Sequence, residues 1–310
     1  MPAVLETNED TLESLELRLR TILPEEYQDH YEDVQPVSMG SASLKYLTNG
    51  LVAWNQIWST FCDLAMAGGP PHKGTFLEPG TVEEIEAQPQ RYQEVVQEIC
   101  RGITLASGFE ARLSTSPGWV RVECGSAGMA EWLVRAIVME NISARREGDT
   151  GLELPVGPNY RIAKEIKNVV TAIAKTSHYW FDHMYANQPE EIADLFVALE
   201  AQLPLLEPAR GGLDDGRYPV LRATIAGGVL EATGVGSSSE QHYAGWLGLE
   251  CKQIRTAIWM MRALVVSNVL ARREGTVLFV PVNPDRDPEG AAAIERVARV
   301  YGFAVARGIV

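Results

Sequence analysis

The sequence predicts a mixed α+β / α/β protein built as two tandem pseudo-symmetric repeats. Each repeat is read as a mixed sheet covered by helices, and a helical N-terminal extension precedes them. Three observations predict this. The segment from Gly118-Trp-Val-Arg-Val-Glu-Cys124 to Ala144-Arg-Arg-Glu-Gly148 recurs, without a gap, from Gly245-Trp-Leu-Gly-Leu-Glu-Cys251 to Ala271-Arg-Arg-Glu-Gly275, with about half of the positions identical. Both segments pass from strand-like alternation to helical spacing in the same order. The chain has 310 residues, 46% apolar and 22% charged, which exceeds one typical domain and supplies a sizeable core.

Residues 1–80 are assigned to the extension. Leu12, Leu15, Leu19 and Ile22 share one side of a helix, and Pro24 and Pro36 break the pattern. Trp54, Ile57, Trp58, Phe61 and Leu64 recur at helical steps, which predicts a buried helix over 50–66. It runs into the loop Gly68-Gly-Pro-Pro-His-Lys-Gly-Thr75. Glycines there permit close backbone approach and prolines stiffen the chain, so His72 and Lys73 are held at a defined place.

Residues 81–187 form the first repeat. Thr81 with early acids opens a helix to about Arg101. Ile103-Thr-Leu-Ala-Ser-Gly-Phe is read as a strand, then 118–124 as a second strand and 129–143 as a helix. That helix is expected to stop at Asn141 and the Arg-Arg-Glu-Gly block, where cations suit the helix dipole. Gly151-Leu-Glu-Leu-Pro155 is a further strand, and Tyr160 to Met184 a long helix. Residues 188–310 repeat the order: Ala223-Thr-Ile-Ala-Gly-Gly-Val as a strand, strand 245–251, a helix to Asn268, a strand beginning at Val277, and a helix opened by Asp287-Pro288-Glu289.

The formal charge of −14 repels phosphate backbones and anionic lipid surfaces, which excludes nucleic acid and membrane as expected partners. An anionic ligand therefore requires a local basic cluster. No apolar run approaches the ~18–20 residues of a membrane span, and no basic start leads into an apolar core. Cys62, Cys100, Cys124 and Cys251 are widely spaced, as free thiols of a reducing cytoplasm are.

Charged side chains retained in both copies are the first candidates. Arg135 and Arg262, each beside a Trp, offer planar forks suited to a carboxylate or phosphate across a cleft between the repeats, with Asn141 and Asn268 nearby. Arg145, Arg146, Arg272 and Arg273 are accounted for by helix termination alone. The second candidate is the 160–184 helix, where Lys164, Lys167, Thr171, Lys175, His178 and Asp182 line one side in the first copy only. A solvated face with Lys–Glu pairs would give the same pattern. The third is the His72 loop. Metal ligation is the weakest: His178, Asp182 and His183 lie close together, but the two histidines are five apart and fit one helix face poorly.

These residues point to an enzyme acting on a small anionic metabolite by acid–base chemistry without an organic cofactor: a lyase, isomerase or transferase. His72 or His178 would transfer the proton, and Lys175 or Lys73 would stabilise developing charge. Arg135, Arg262, Lys73, Lys164, Lys167, Asn141 and Asn268 would bind substrate. Two other classes fit the same sequence. One is a non-catalytic subunit or assembly factor, self-associating or anchored on Tyr179, Trp180 and Tyr185. The other is a metal- or cofactor-handling protein using His178, Asp182 and His183.

Overall fold

A computed structural model describes residues 11–29, 43–60, 63–210, 216–239 and 243–310; Pro36, Phe61 and Cys62 lie outside the described residues. The chain is a mixed α+β protein with nine α-helices and two small antiparallel sheets among those residues.

Thr11 and Ser14 form a reciprocal cap that opens α1 (Leu12–Ile22), whose Leu15, Leu19 and Ile22 are buried. The segment expected to be one buried helix over 50–66 is instead a run of tight 3-10 turns, Trp54–Thr60 and Ala65–Ala67. Three residues per turn place Trp54 and Ile57 on one side, and the Trp54 indole N–H donates to Glu98 at 2.8 Å.

Thr81 and Glu84 cap α2 (Val82–Ala87), and Pro89 starts α3 (Pro89–Ser107). The strand expected at Ile103 is the end of α3. Ile103 and Ala106 continue the buried stripe of Tyr92, Val96 and Ile99, so helical period overrides local β preference until Gly108 turns left-handed at φ 78°.

Next come β1 (Ala111–Leu113), β2 (Trp119–Glu123), α4 (Ala127–Met139), β3 (Arg145–Glu147) and β4 (Gly151–Pro155). A π-helical turn, Ile162–Ile166, leads into α5 (Lys167–Asp182), followed by α6 (Gln188–Gln202). The expected strand at Ala223 lies within α7 (Arg217–Thr233), for the same reason as in α3: Leu221, Ile225 and Val229 recur every fourth residue. The chain ends with β5 (Trp246–Glu250), α8 (Ile254–Val265), β6 (Arg272–Glu274), β7 (Val277–Pro281) and α9 (Ala291–Ala306). Asp287 does cap α9, accepting from Ala292 and Ala293 N–H, but the helix begins beyond Gly290 rather than at Pro288.

The sheets run β1-β2-β4-β3 and β5-β7-β6. Every strand pair is antiparallel, which corrects the expectation of mixed sheets. Among the described residues, parallel pairing is limited to single bridges, Leu77 with Ile142 and Leu206 with Val269. The Arg-Arg-Glu blocks are edge strands, not helix ends. Helices α4 and α8 stop earlier, where Asn141 and Asn268 adopt left-handed φ values of 60° and 59°. Asn tolerates that conformation better than other side chains, and the chain then reverses into β3 or β6.

Helix α4 packs on β3 and β4, and also against α5, α6 and β6; α3 packs on α5, and α9 on α7 and α8. The phenol oxygens of Tyr92 and Tyr218 accept from Gly118 and Gly245 N–H at 3.1 and 3.0 Å, joining α3 to β2 and α7 to β5. No helix among the described residues is long and apolar enough to cross a membrane.

Candidate functional site

The His72 loop closes on the C-terminal end of α4. After the Ala65–Ala67 turn, Gly68 is left-handed at φ 94°, and Gly69 passes so near Asp63 that a Cβ there would stand 2.2 Å from the Asp63 carbonyl oxygen. Only glycine fits that approach. The carboxylate of Glu140, fully buried, clamps the loop. Its Oε1 accepts from Ala65 N–H at 2.9 Å and its Oε2 from His72 N–H at 3.0 Å. Lys175 of α5, also fully buried, places Nζ 2.9 Å from Glu140 Oε1 and donates to the Asp63 carbonyl at 3.2 Å. Next in sequence, Asn141 donates through Nδ2 to the carbonyls of Lys73 and Arg273, at 3.2 and 2.7 Å. The loop is thereby tied to α4, α5 and β6.

The His72 imidazole lies among Thr171, Lys175 and Lys167. Burial holds its pKa well below the usual histidine range; the charge of Lys175, then that of Lys167, adds to the shift, while the backbone at Thr171 pulls the other way. It is a neutral imidazole at neutral pH. Its Nε2 is buried with no hydrogen-bond partner, and so are Thr171 Oγ1, Asn141 Oδ1 and Arg273 Nη2. Four orphaned polar atoms around one loop are unusual in a native interior, where such groups normally pair. The Lys167 ammonium and the Arg273 guanidinium, both buried, are shifted down by desolvation, with Glu140 opposing at Arg273. Lys175 pairs with Glu140, the carboxylate clamping the loop, Arg273 also feels that charge, and Lys167 bears on His72, so the cluster is locally positive within an acidic chain.

The structure brings His72, Lys167, Lys175 and Asn141 together and leaves other candidates apart. Lys73 directs Nζ to Glu165, 3.4 Å away. That carboxylate is held at a pKa of about 2, chiefly by Arg161. Lys164 is exposed. The lysine stripe is not a solvated face, since Lys167 and Lys175 point inward.

Arg135 is buried, paired with Glu131, stacked on Phe196 at 4.1 Å, and donates to Asn268 Oδ1 at 2.6 Å. Asn268 also donates to the Leu203 carbonyl at 2.8 Å. Arg262 is buried in α8. His178 turns from the cluster to Asp182, its Nδ1 2.6 Å from Oδ2. Of the three residues expected as an exposed aromatic anchor, Tyr179 and Trp180 are buried against Tyr27 and Trp132, and Tyr185 is half-buried.

Elsewhere, a concavity of about 350 Å³ is lined by Trp119, Trp246, Glu78, Glu207, Arg145 and Arg210, among others. Arg145 stacks on Trp119 and Arg272 on Trp246, each at 4.2 Å. Arg145 pairs with Glu153 at 2.5 Å, and Arg272 with Glu78, so these cations are already neutralised. Burial lowers Arg272 to about 10. Sequence reasoning read these arginines as helix caps and passed over Glu78 and Glu207. The shared Leu-Glu-Pro of 77–79 and 206–208 was the available signal.

Burial pushes Cys124 and Cys251 to about 12 and Cys100 to about 11, which keeps all three thiols protonated and poorly nucleophilic. Among the described residues, no group of three or more His, Cys, Asp or Glu side chains could hold a metal ion. No family model, no curated protein and no solved structure matches this chain.

Proposed function

We propose that the protein is an enzyme acting on a small anionic metabolite by acid–base chemistry, with its site where the His72 loop meets α5 and β6. One observation carries the reading: a neutral imidazole whose Nε2 is buried, unpaired and flanked by Lys167 and Lys175. A general base needs a free lone pair near operating pH, and an anionic substrate needs cationic groups in a dry setting. His72 would take the proton. Lys167 and Arg273 would hold the substrate's carboxylate or phosphate, and Lys175 would stabilise charge that develops as the proton leaves. Glu140 positions both the loop and Lys175. This chemistry suits a lyase or isomerase and calls for no organic cofactor.

We infer as well that residues 81–187 and 188–310 derive from one duplicated unit. Supporting this are the strand orders β2-β4-β3 and β5-β7-β6, left-handed Asn141 and Asn268, and the Tyr92–Gly118 and Tyr218–Gly245 bonds. The His72 cluster uses α5 on one side only, which gives one site per chain.

The test needs no prior substrate. Small carboxylates and phosphate esters are first screened for raising the melting temperature, and the binders are then incubated in D2O with NMR detection of carbon-bound deuterium. Wild type is expected to exchange a proton of at least one binder, and His72→Gln to lose that exchange by 100-fold or more, a typical general-base contribution, while binding persists. If no anion stabilises the protein, or if His72→Gln exchanges as wild type does, the proposal fails.

A further inference from the structure

The C-terminal end of α5 carries a second arrangement, separate from the His72 cluster. His178 Nδ1 lies 2.6 Å from Asp182 Oδ2, and His183 Nδ1 lies 2.9 Å from Glu26 Oε2. A carboxylate accepts hydrogen bonds, so each imidazole presents its proton at Nδ1. With both rings neutral, the two Nε2 atoms carry lone pairs that face each other at 3.3 Å. Two lone pairs at that separation repel unless a cation lies between them.

We propose that His178 and His183 bind a borderline divalent cation of the zinc, cobalt, nickel or copper class. Two nitrogens 3.3 Å apart, each ~2.05 Å from a shared zinc, subtend about 107° at the metal, close to tetrahedral. Ring centroids in that arrangement fall about 5 Å apart, and they stand at 4.9 Å with the planes at 82°. Asp182 and Glu26 supply the carboxylate–histidine contacts that fix the tautomer and raise ligand basicity in metal sites. The ion can enter, because the two histidine side chains are 32% and 29% exposed. An adjacent concavity of about 330 Å³, lined by Glu25, Glu26, Asp182, His183 and Met184, has room for water or a small ligand to complete the coordination.

The five-residue spacing looked unsuitable because it assumed one continuous helix. In fact α5 ends at Asp182, and His183 leaves helical geometry at φ −123° and ψ 0°. Its carbonyl accepts from Glu25 N–H at 3.4 Å, so the site joins the segment after α1 to α5.

Calorimetric titration of the chelator-treated full-length protein with Zn2+, and absorption titration with Co2+, test this. One equivalent is expected with either ion, and Co2+ should develop the visible bands of a low-coordinate complex. His178→Gln and His183→Gln should each abolish that high-affinity equivalent. Asp182→Asn and Glu26→Gln should weaken it about 10- to 100-fold at unchanged stoichiometry. Absence of uptake by wild type at tenth-millimolar metal, which would leave a shared proton between the rings, overturns the proposal. Equal uptake by the His178→Gln/His183→Gln double variant does so as well.

Discussion

Lys175 and Glu140 form an ion pair at 2.9 Å with both side chains fully buried, and the same carboxylate holds the backbone of the His72 loop through two N–H groups. Removing one partner strands the other as an uncompensated interior charge. Lys175→Met and Glu140→Gln should therefore each cost about 3–5 kcal/mol. The double variant should cost clearly less than the sum, because it strands no charge. Urea denaturation of the four proteins measures the cycle. Additive losses would show that the two residues do not act as a pair.

His72 makes stability depend on pH in a defined direction. Its folded-state pKa is depressed below the unfolded value near 6.5. Above about pH 6.5 neither state takes up the proton. As pH falls below that, the unfolded chain protonates first and the folded state loses stability, by at most about 1.4 kcal/mol per pH unit. His72→Gln should flatten the fall in unfolding free energy between pH 6.5 and 5. Parallel curves for the two proteins would mean that the imidazole protonates freely in the fold.

Much of the α/β order was legible because it rests on periodicity: β2, α4, β4, β5, α8 and β7 lie where alternation and helical spacing put them. The misreadings have physical causes. Ile103 and Ala223 sit in β-favouring composition, but their apolar neighbours continue a helical stripe, and burial of that stripe outweighs local preference. Asn141 and Asn268 were grouped with the following arginines, although a left-handed Asn ends a helix by itself.

The site was legible in its parts rather than in its assembly. His72, Lys167 and Lys175 stood out as cationic or titratable residues in an acidic chain. Glu140, which ties the His72 loop to Lys175, looked like any acid near a helix end, because long-range convergence leaves no local pattern. Arg135 was expected to face a ligand on the premise that retained charge does so. Arg135 instead satisfies Asn268, 133 residues away.

Left-handed backbone at Asn141 and Asn268 gives a third expectation. Asn141→Gly keeps the backbone accessible and loses the bonds to the Lys73 and Arg273 carbonyls; Asn141→Ala loses those bonds and keeps a Cβ at positive φ. The alanine variant should be less stable than the glycine variant by about 1–2 kcal/mol. The same ordering is expected at Asn268, where the Arg135 guanidinium also loses an acceptor. Thermal denaturation of the four variants checks it, and alanine equal to glycine at both sites would mean that the φ values are not held in solution.

Tyr92 and Tyr218 allow the inferred duplication to be tested energetically. Each phenol oxygen accepts from the N–H of a glycine with φ near 80°, just before the first strand of the shared order, and each is pushed up in pKa mainly by burial. Phenylalanine at either position fills the same space but leaves a glycine N–H without an acceptor, a loss of about 1–3 kcal/mol. Tyr92→Phe should be the costlier, since Gly118 N–H is buried while the Gly245 bond is partly open to solvent, where water can replace the phenol. The sites share no partner, so the double variant should lose close to the sum. A near-zero cost at one tyrosine beside a full cost at the other would mean that the two bonds resemble each other in geometry without doing the same structural job.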